Sequence, residues 1–122
     1  TDALADPKGK NYWDRQAELA SRDSTNPVNG YFPFPVLGIY FNTASDADAA
    51  FDPRGQGDRA LQHCLAVRLN VASGRFGWYT PIDRGHRTRY LWEYWNDAFD
   101  AYQAGHERRA KEICESLNEI QH

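Results

Sequence analysis

The sequence predicts a small α+β domain, in which a mainly antiparallel sheet of two to four strands packs against a C-terminal helical hairpin and one N-terminal helix. Apolar residues recur with helical spacing over residues 11–22 and again over 91–120. Between these segments, residues 64–80 alternate between apolar and polar side chains, which is typical of a β-hairpin. A chain of 122 residues rarely forms two independent cores, so we expect one domain.

A flexible lead is expected ahead of this domain. Residues 1–9 are small and polar, and they include a proline and a glycine, a composition typical of an untethered terminus. We therefore assign the single α+β domain to residues 10–122. Its first element is the helix predicted over residues 11–22, where one face carries the apolar side chains.

Strands are predicted in two places. Residues 36–41 are apolar throughout and rich in β-forming side chains, as expected for a buried strand. Farther along, four aliphatic side chains between residues 65 and 71 alternate with smaller or polar ones, a turn follows, and the alternation resumes over residues 76–80. The β-hairpin near residues 64–80 is the strongest strand pattern in the chain.

The C-terminal part is predicted to be a helical hairpin. One apolar stripe with helical spacing covers residues 91–102, Gly105 ends that helix, and a second stripe covers residues 110–120. A short helix is also expected after Ser45, because aspartates in a first turn interact favourably with the helix dipole. Residues 81–89, between the predicted strands and this hairpin, are interpreted as a basic loop.

The sequence argues against several classes of function. No apolar run approaches the roughly 20 residues that a membrane-spanning helix needs, so we expect no membrane interaction. A net charge of -3 argues against general coating of nucleic acid. The sequence lacks a phosphate-binding loop, a complete calcium loop, paired zinc ligands and a serine-nucleophile elbow. We therefore expect no cofactor and no bound metal.

The two cysteines, Cys64 and Cys114, are too few for a disulfide-rich secreted scaffold. Because the N-terminus also lacks the apolar segment of a signal peptide, we expect a cytoplasmic location. Whether the two sulfur atoms form a bond depends on the fold, and the sequence leaves both alternatives open.

Aromatic residues are the most unusual feature of the composition, with six phenylalanines, seven tyrosines and four tryptophans. The helix predicted from residue 91 carries more of them than one core-facing stripe uses, and Trp, Tyr and Arg concentrate at interaction hot spots. We therefore predict a non-catalytic protein–protein interaction module: an accessory, adaptor or inhibitor protein. Because arginine outnumbers lysine eleven to three, a bias typical of GC-rich genomes, we expect it to come from a bacterial mobile element or phage. The predicted partner-binding residues are Trp92, Tyr94, Arg84, Arg87, Arg89, Phe32 and Phe34.

Nucleic-acid binding by the basic segment 68–89 is the alternative. Five arginines and one aspartate give this segment a charge of five minus one, or +4, and its aromatic residues offer stacking surfaces. The residues predicted for this role are Arg68, Arg75, Trp78, Tyr79, Arg84, His86 and Arg87. Catalysis by His86 with Asp83 or Glu93 is a third and weaker hypothesis, and a homodimer is left open.

Overall fold

The computed structural model describes residues 6–52, 58–83 and 87–119. These form five α-helices, one 3₁₀ helix and two separate two-stranded antiparallel sheets. The helices are α1 (Lys10–Arg22), α2 (Ala44–Phe51), α3 (Arg59–Ala72), α4 (Leu91–Gln103) and α5 (Glu107–Leu117). The strands are β1 (Phe34–Val36), β2 (Ile39–Phe41), β3 (Pro81–Asp83) and β4 (Thr88–Tyr90), and the 3₁₀ helix spans Pro27–Tyr31. The predicted α+β class is confirmed.

The predicted β-hairpin near residues 64–80 is wrong, because most of that segment belongs to helix α3. Nine of the fourteen residues of α3 are buried. A helix buried on nearly all sides has no polar face, so its sequence lacks the helical period by which amphipathic helices are recognised. The apparent alternation arose because polar Arg68 and Asn70 also lie within or against the core. The carboxylate of Asp58 caps the helix by accepting a hydrogen bond from the Leu61 N–H at 3.0 Å.

The structure has two hairpins, and along the chain one precedes α3 and the other follows it. The segment predicted as one strand over residues 36–41 is divided by a tight turn at Leu37 and Gly38, which both have positive φ. The segment interpreted as a basic loop contains strands β3 and β4, with Ile82 opposite Arg89. Residues 76–80 form a turn and not a strand, and the Gly77 N–H donates to Thr80 Oγ1 at 2.8 Å.

The predicted terminal helices and the short helix near Ser45 are present. Helix α1 buries the apolar face that the sequence indicated. Helices α4 and α5 form the helical hairpin, and Gly105 adopts a φ of +86° at the turn between them. Within the described ranges, no helix is long and apolar enough to cross a membrane.

Helix α3 is the centre of the core and packs against α1, α2, α5 and β1. A disulfide between Cys64 and Cys114 joins it to α5, with the two Cα atoms 5.0 Å apart. Both cysteines are fully buried. The structure thus answers the question that the sequence left open.

A buried amide network adds a second connection to α3. Asn70, which is 0% exposed, accepts hydrogen bonds from Trp13 Nε1 at 3.0 Å and from the Lys8 N–H at 2.9 Å. Its Nδ2 atom donates to the Lys8 carbonyl and to Asn118 Oδ1, both at 2.9 Å. Asn118 in turn donates to the His63 carbonyl at 3.1 Å. Every donor and acceptor of the Asn70 side chain is therefore satisfied.

Tyr102 connects the end of α4 to the start of α3. Its hydroxyl group donates a hydrogen bond to Asp58 Oδ2 at 2.6 Å. Partial burial, followed by this hydrogen bond, raises the pKa of Tyr102 to about 12.

We expect Tyr102 to make the protein less stable as the pH rises from about 10 to about 12. In this window an unfolded tyrosine has lost a proton that the folded state keeps, so the free energy of unfolding falls with rising pH. Urea unfolding at about pH 9 and about pH 11 should show a smaller loss in Tyr102→Phe than in the wild type. The same loss in both proteins would contradict this assignment.

Candidate protein-binding surface

Helix α4 carries an aromatic stripe at the protein surface. Trp92, Trp95 and Phe99 have the spacing that places side chains on one face of a helix. Trp92 is 39% exposed, Phe99 is exposed to the same extent, and Trp95 is partly buried between them along the helix. Trp92 was among the predicted partner-binding residues, whereas Phe99 belongs to the apolar stripe predicted over residues 91–102 and is nevertheless exposed.

The turn at residues 77–80 is fixed against the start of α4. The Trp92 N–H donates to the Trp78 carbonyl at 2.9 Å, and the Leu91 N–H donates to the Thr80 carbonyl at the same distance. The rings of Trp78 and Trp95 are in contact, with their centroids 5.4 Å apart. Backbone bonds and ring packing together hold this turn in place.

Two tyrosines extend the stripe beyond the helix. Tyr79 is 76% exposed, and its ring contacts the edge of the Tyr90 ring at a centroid distance of 5.9 Å. Tyr90 is exposed as well. We call the following residues the aromatic surface: exposed Tyr79, Tyr90, Trp92 and Phe99, together with partly buried Trp78 and Trp95.

Arg89 anchors the β3–β4 hairpin to α4. Its Nη1 atom lies 2.8 Å from Asp97 Oδ2, its Nε atom lies 3.8 Å from Glu93 Oε2, and its guanidinium lies 4.8 Å from the Tyr94 ring centroid. The hydrogen bond to Asp97 raises the pKa of Arg89. Arg89 and Tyr94, both predicted to bind a partner, thus have contacts within the protein that position the hairpin.

The aromatic run near residue 34 is mostly not at the surface. Phe34, which was predicted to bind a partner, is only 2% exposed and so belongs to the core. Phe32, predicted for the same role, is partly buried and stacks on Phe34 with the ring centroids 4.7 Å apart. Phe34 is buried because β1 packs against α3. From α3, the guanidinium of Arg68 lies 4.7 Å from the Phe34 ring centroid and 5.7 Å from that of Trp78. Burial lowers the pKa of Arg68.

Two of the arginines predicted for nucleic-acid binding, Arg68 and Arg75, contact aromatic side chains of the protein itself. Arg75 donates from Nη2 to the Tyr12 hydroxyl at 3.1 Å, and its guanidinium lies over the Tyr12 and Trp13 rings. Arg68 is also occupied by aromatic rings of the protein. Arg84 and His86 lie outside the described residues, and Arg87 is exposed.

The β1–β2 turn borders the aromatic surface, which the sequence did not indicate. A Cβ atom added to Gly38 would lie 3.8 Å from the Phe99 ring and 3.2 Å from Gln103 Nε2. The same Nε2 atom donates to the Leu37 carbonyl at 3.2 Å. This close approach places the exposed strand residue Tyr40 in the hairpin next to the α4 stripe.

The arrangement is suited to contact with another surface. Rings of Trp and Tyr offer large apolar areas together with hydrogen-bonding edges. Among the described residues, no group of three His, Cys, Asp or Glu side chains is placed to hold a metal ion. Comparison of the chain with protein-family models, with curated proteins and with solved structures gives no match in any of the three.

Proposed function

We propose that this protein is a non-catalytic protein–protein interaction module that binds a partner protein through the aromatic surface. The observation that carries the proposal is the exposure of four aromatic side chains, of which Tyr79 and Tyr90 precede α4 and Trp92 and Phe99 lie on it. Exposed apolar patches mark interaction sites more often than isolated exposed residues do. Trp and Tyr also bury large areas at a low cost in side-chain entropy.

Contacts within the protein position Trp78 and the hairpin that carries Tyr90 before any partner arrives. Trp78 is fixed by its carbonyl bond to Trp92 and by its contact with the Trp95 ring. Arg89 fastens the β3–β4 hairpin, which carries Tyr90, to Asp97 on α4. Because little of the surface must be ordered on binding, less free energy is lost to ordering when a partner docks.

Arginines at the rim have a secondary role in this proposal. Exposed Arg87 precedes β4 directly, and we expect it to steer an acidic partner surface towards the aromatic side chains. Arg84 stays a predicted contributor to the same role. The partner in this proposal therefore has an apolar pocket with acidic residues around it.

Trp92→Ala is expected to weaken partner binding by about tenfold or more, because a central tryptophan is a common hot spot. Its fold should be retained, since the Trp92 side chain is already exposed. Wild-type, Trp92→Ala and Leu19→Ala proteins serve as baits in lysate of the source cells. Leu19 is a matched control, exposed to a similar degree on α1.

The proposal is supported by a protein that the wild-type and Leu19→Ala baits capture and the Trp92→Ala bait does not. Titration calorimetry with that purified protein then measures how many fold Trp92→Ala weakens its binding. Capture that is indifferent to Trp92→Ala would contradict the proposal. Light scattering during size-exclusion chromatography separates the alternatives. A dimer that Trp92→Ala dissociates would assign the surface to a second copy, and co-eluting nucleic acid that salt removes would favour nucleic-acid binding.

The compartment and the biological role remain predictions. A cytoplasmic location was expected, but the Cys64–Cys114 disulfide weighs against it, because cytosolic thiols are usually kept reduced. The role as an accessory, adaptor or inhibitor protein of a mobile element or phage follows only from the composition. Identification of the partner protein would test this predicted role.

A further inference from the structure

A polar cleft of about 400 Å³ lies away from the aromatic surface. It is formed by the first turn of α1, the N-terminal half of α3 and the C-terminal end of α5 together with the residues that follow it. None of its lining residues belongs to the aromatic surface. A volume of this size lies within the range of about 300 to 1,000 Å³ that is typical of small-molecule sites.

Each of the three helices supplies one basic side chain to this cleft: Lys10 from α1, Arg59 from α3 and Lys111 from α5. Two carboxylates, those of Glu115 and Glu119, also line it. Lys111 Nζ lies 3.4 Å from Glu115 Oε1, so these two charges offset each other.

The other two basic side chains form no such ion pair within the part of the chain that the structure describes. Lys10 Nζ contacts the neutral Asn11 Oδ1 at 3.3 Å. Among the described residues, no carboxylate lies within ion-pair distance of Lys10 or of Arg59. The described lining of the cleft thus carries three basic side chains against two carboxylates, three minus two or a net charge of +1, which favours an oxyanion.

His63 lies at the base of the cleft and is only 8% exposed. Its Nε2 atom is 3.8 Å from Glu115 Oε2. Burial lowers the pKa of His63, Glu115 opposes this, and the nearby charges of Lys10, Lys111 and Arg59 lower it further. The neutral imidazole keeps one N–H donor and one acceptor nitrogen.

The first turn of α1 borders the same cleft. Its N-cap residue is Gly9, which has no side chain to cap the first N–H groups. Gly9, Lys10, Asn11 and Tyr12 all line the cleft. Uncapped N–H groups and the positive end of the helix dipole favour an anion at this position.

From these observations we propose that the cleft binds a small oxyanion of the phosphate class, held by Lys10, Arg59 and His63 together with the start of α1. Phosphate chemistry suits the site because its oxygens accept several charge-assisted hydrogen bonds at once. The ligand is either free phosphate or the phosphate group of a small monoester. Because the site shares no residue with the aromatic surface, it stands or fails separately from the proposed function.

The test follows the His63 imidazole proton by NMR while sodium phosphate is added, with sodium chloride at matched ionic strength as the reference. The His63 signal is assigned by its loss in His63→Gln. We expect a saturable shift with phosphate only, and a bound phosphate should raise the pKa of His63. A shift that does not saturate, or that chloride reproduces, would overturn the proposal.

Two substitutions locate the binding. Arg59→Gln should weaken phosphate binding about fivefold, since hydrogen bonds to charged groups contribute strongly. Arg15→Gln removes the same charge from an α1 residue outside the cleft and should leave binding unchanged. If both variants weakened phosphate binding equally, the effect would come from the overall charge of the protein, and the proposed site in the cleft would be overturned. Glycerol phosphate identifies the source: tighter binding than phosphate indicates a monoester, and equal binding indicates free phosphate.

Discussion

Removal of the Cys64–Cys114 disulfide is expected to lower the free energy of unfolding by about 4 kcal/mol. The bond spans fifty residues of the chain, and breaking it restores the conformational freedom of that loop in the unfolded state. A domain of this size has only about 5 to 15 kcal/mol of stability in total. We therefore expect the reduced protein to be marginally folded.

Urea unfolding of the wild type with and without dithiothreitol measures this effect while both sulfur atoms stay in place. A Cys64→Ala/Cys114→Ala double variant should be destabilised at least as much, because its lost side-chain volume leaves a cavity in the core. The double variant should not respond to dithiothreitol. Two titratable thiols in wild-type protein unfolded without reductant would contradict the assignment of the bond.

The Asn70→Ala substitution is expected to lower the free energy of unfolding by about 3 kcal/mol. Asn70 makes four hydrogen bonds in the core, two as acceptor and two as donor. Truncation leaves Trp13 Nε1 and Asn118 Oδ1 without these partners, and a buried polar group without a partner costs more than a lost hydrogen bond. The effect should be measured by urea unfolding, with circular dichroism as the signal.

Two milder variants rank the contributions within this network. Trp13→Phe keeps an aromatic ring but removes the Nε1 bond to Asn70 together with part of a buried indole, so we expect a loss of about 1 to 2 kcal/mol. Asn118→Ala removes one bond with Asn70 and one with the His63 carbonyl and should be intermediate. If Asn70→Ala were no more harmful than Asn118→Ala, Asn70 would not be the centre of the network.

Elements with one solvent-facing side were predictable from the sequence. Helices α1 and α5 each have an apolar stripe and a polar face, so their period is visible in the sequence. Helix α3 is buried nearly all round, and for such a segment a helix and a strand have similar patterns. The β1–β2 turn was missed because its first residue is Leu37, whose side chain does not suggest a positive φ.

The candidate surfaces were predictable in part. Trp92 stood out because the α4 sequence holds more aromatic rings than one buried stripe needs. Phe34 was predicted to bind a partner, and only the packing of β1 on α3 shows that it is core. The polar cleft joins Lys10, Arg59 and Lys111 from three distant parts of the chain. Local sequence patterns do not show that residues so far apart in the chain lie close together in space.

The central position of α3 determines how the chain folds. Its buried contacts reach forward and backward along the sequence: Asn70 bonds to Lys8, 62 residues earlier, and Cys64 joins Cys114, 50 residues later. Loops of this length must close before α3 is buried. Folding therefore depends on non-local contacts more than it does in a simple helical bundle. A fragment that ends before α5 or begins after α1 leaves apolar sides of α3 uncovered. Each helix is formed by local hydrogen bonds, but unfolding is expected to be cooperative over the whole chain because α3 needs contacts from both ends of it.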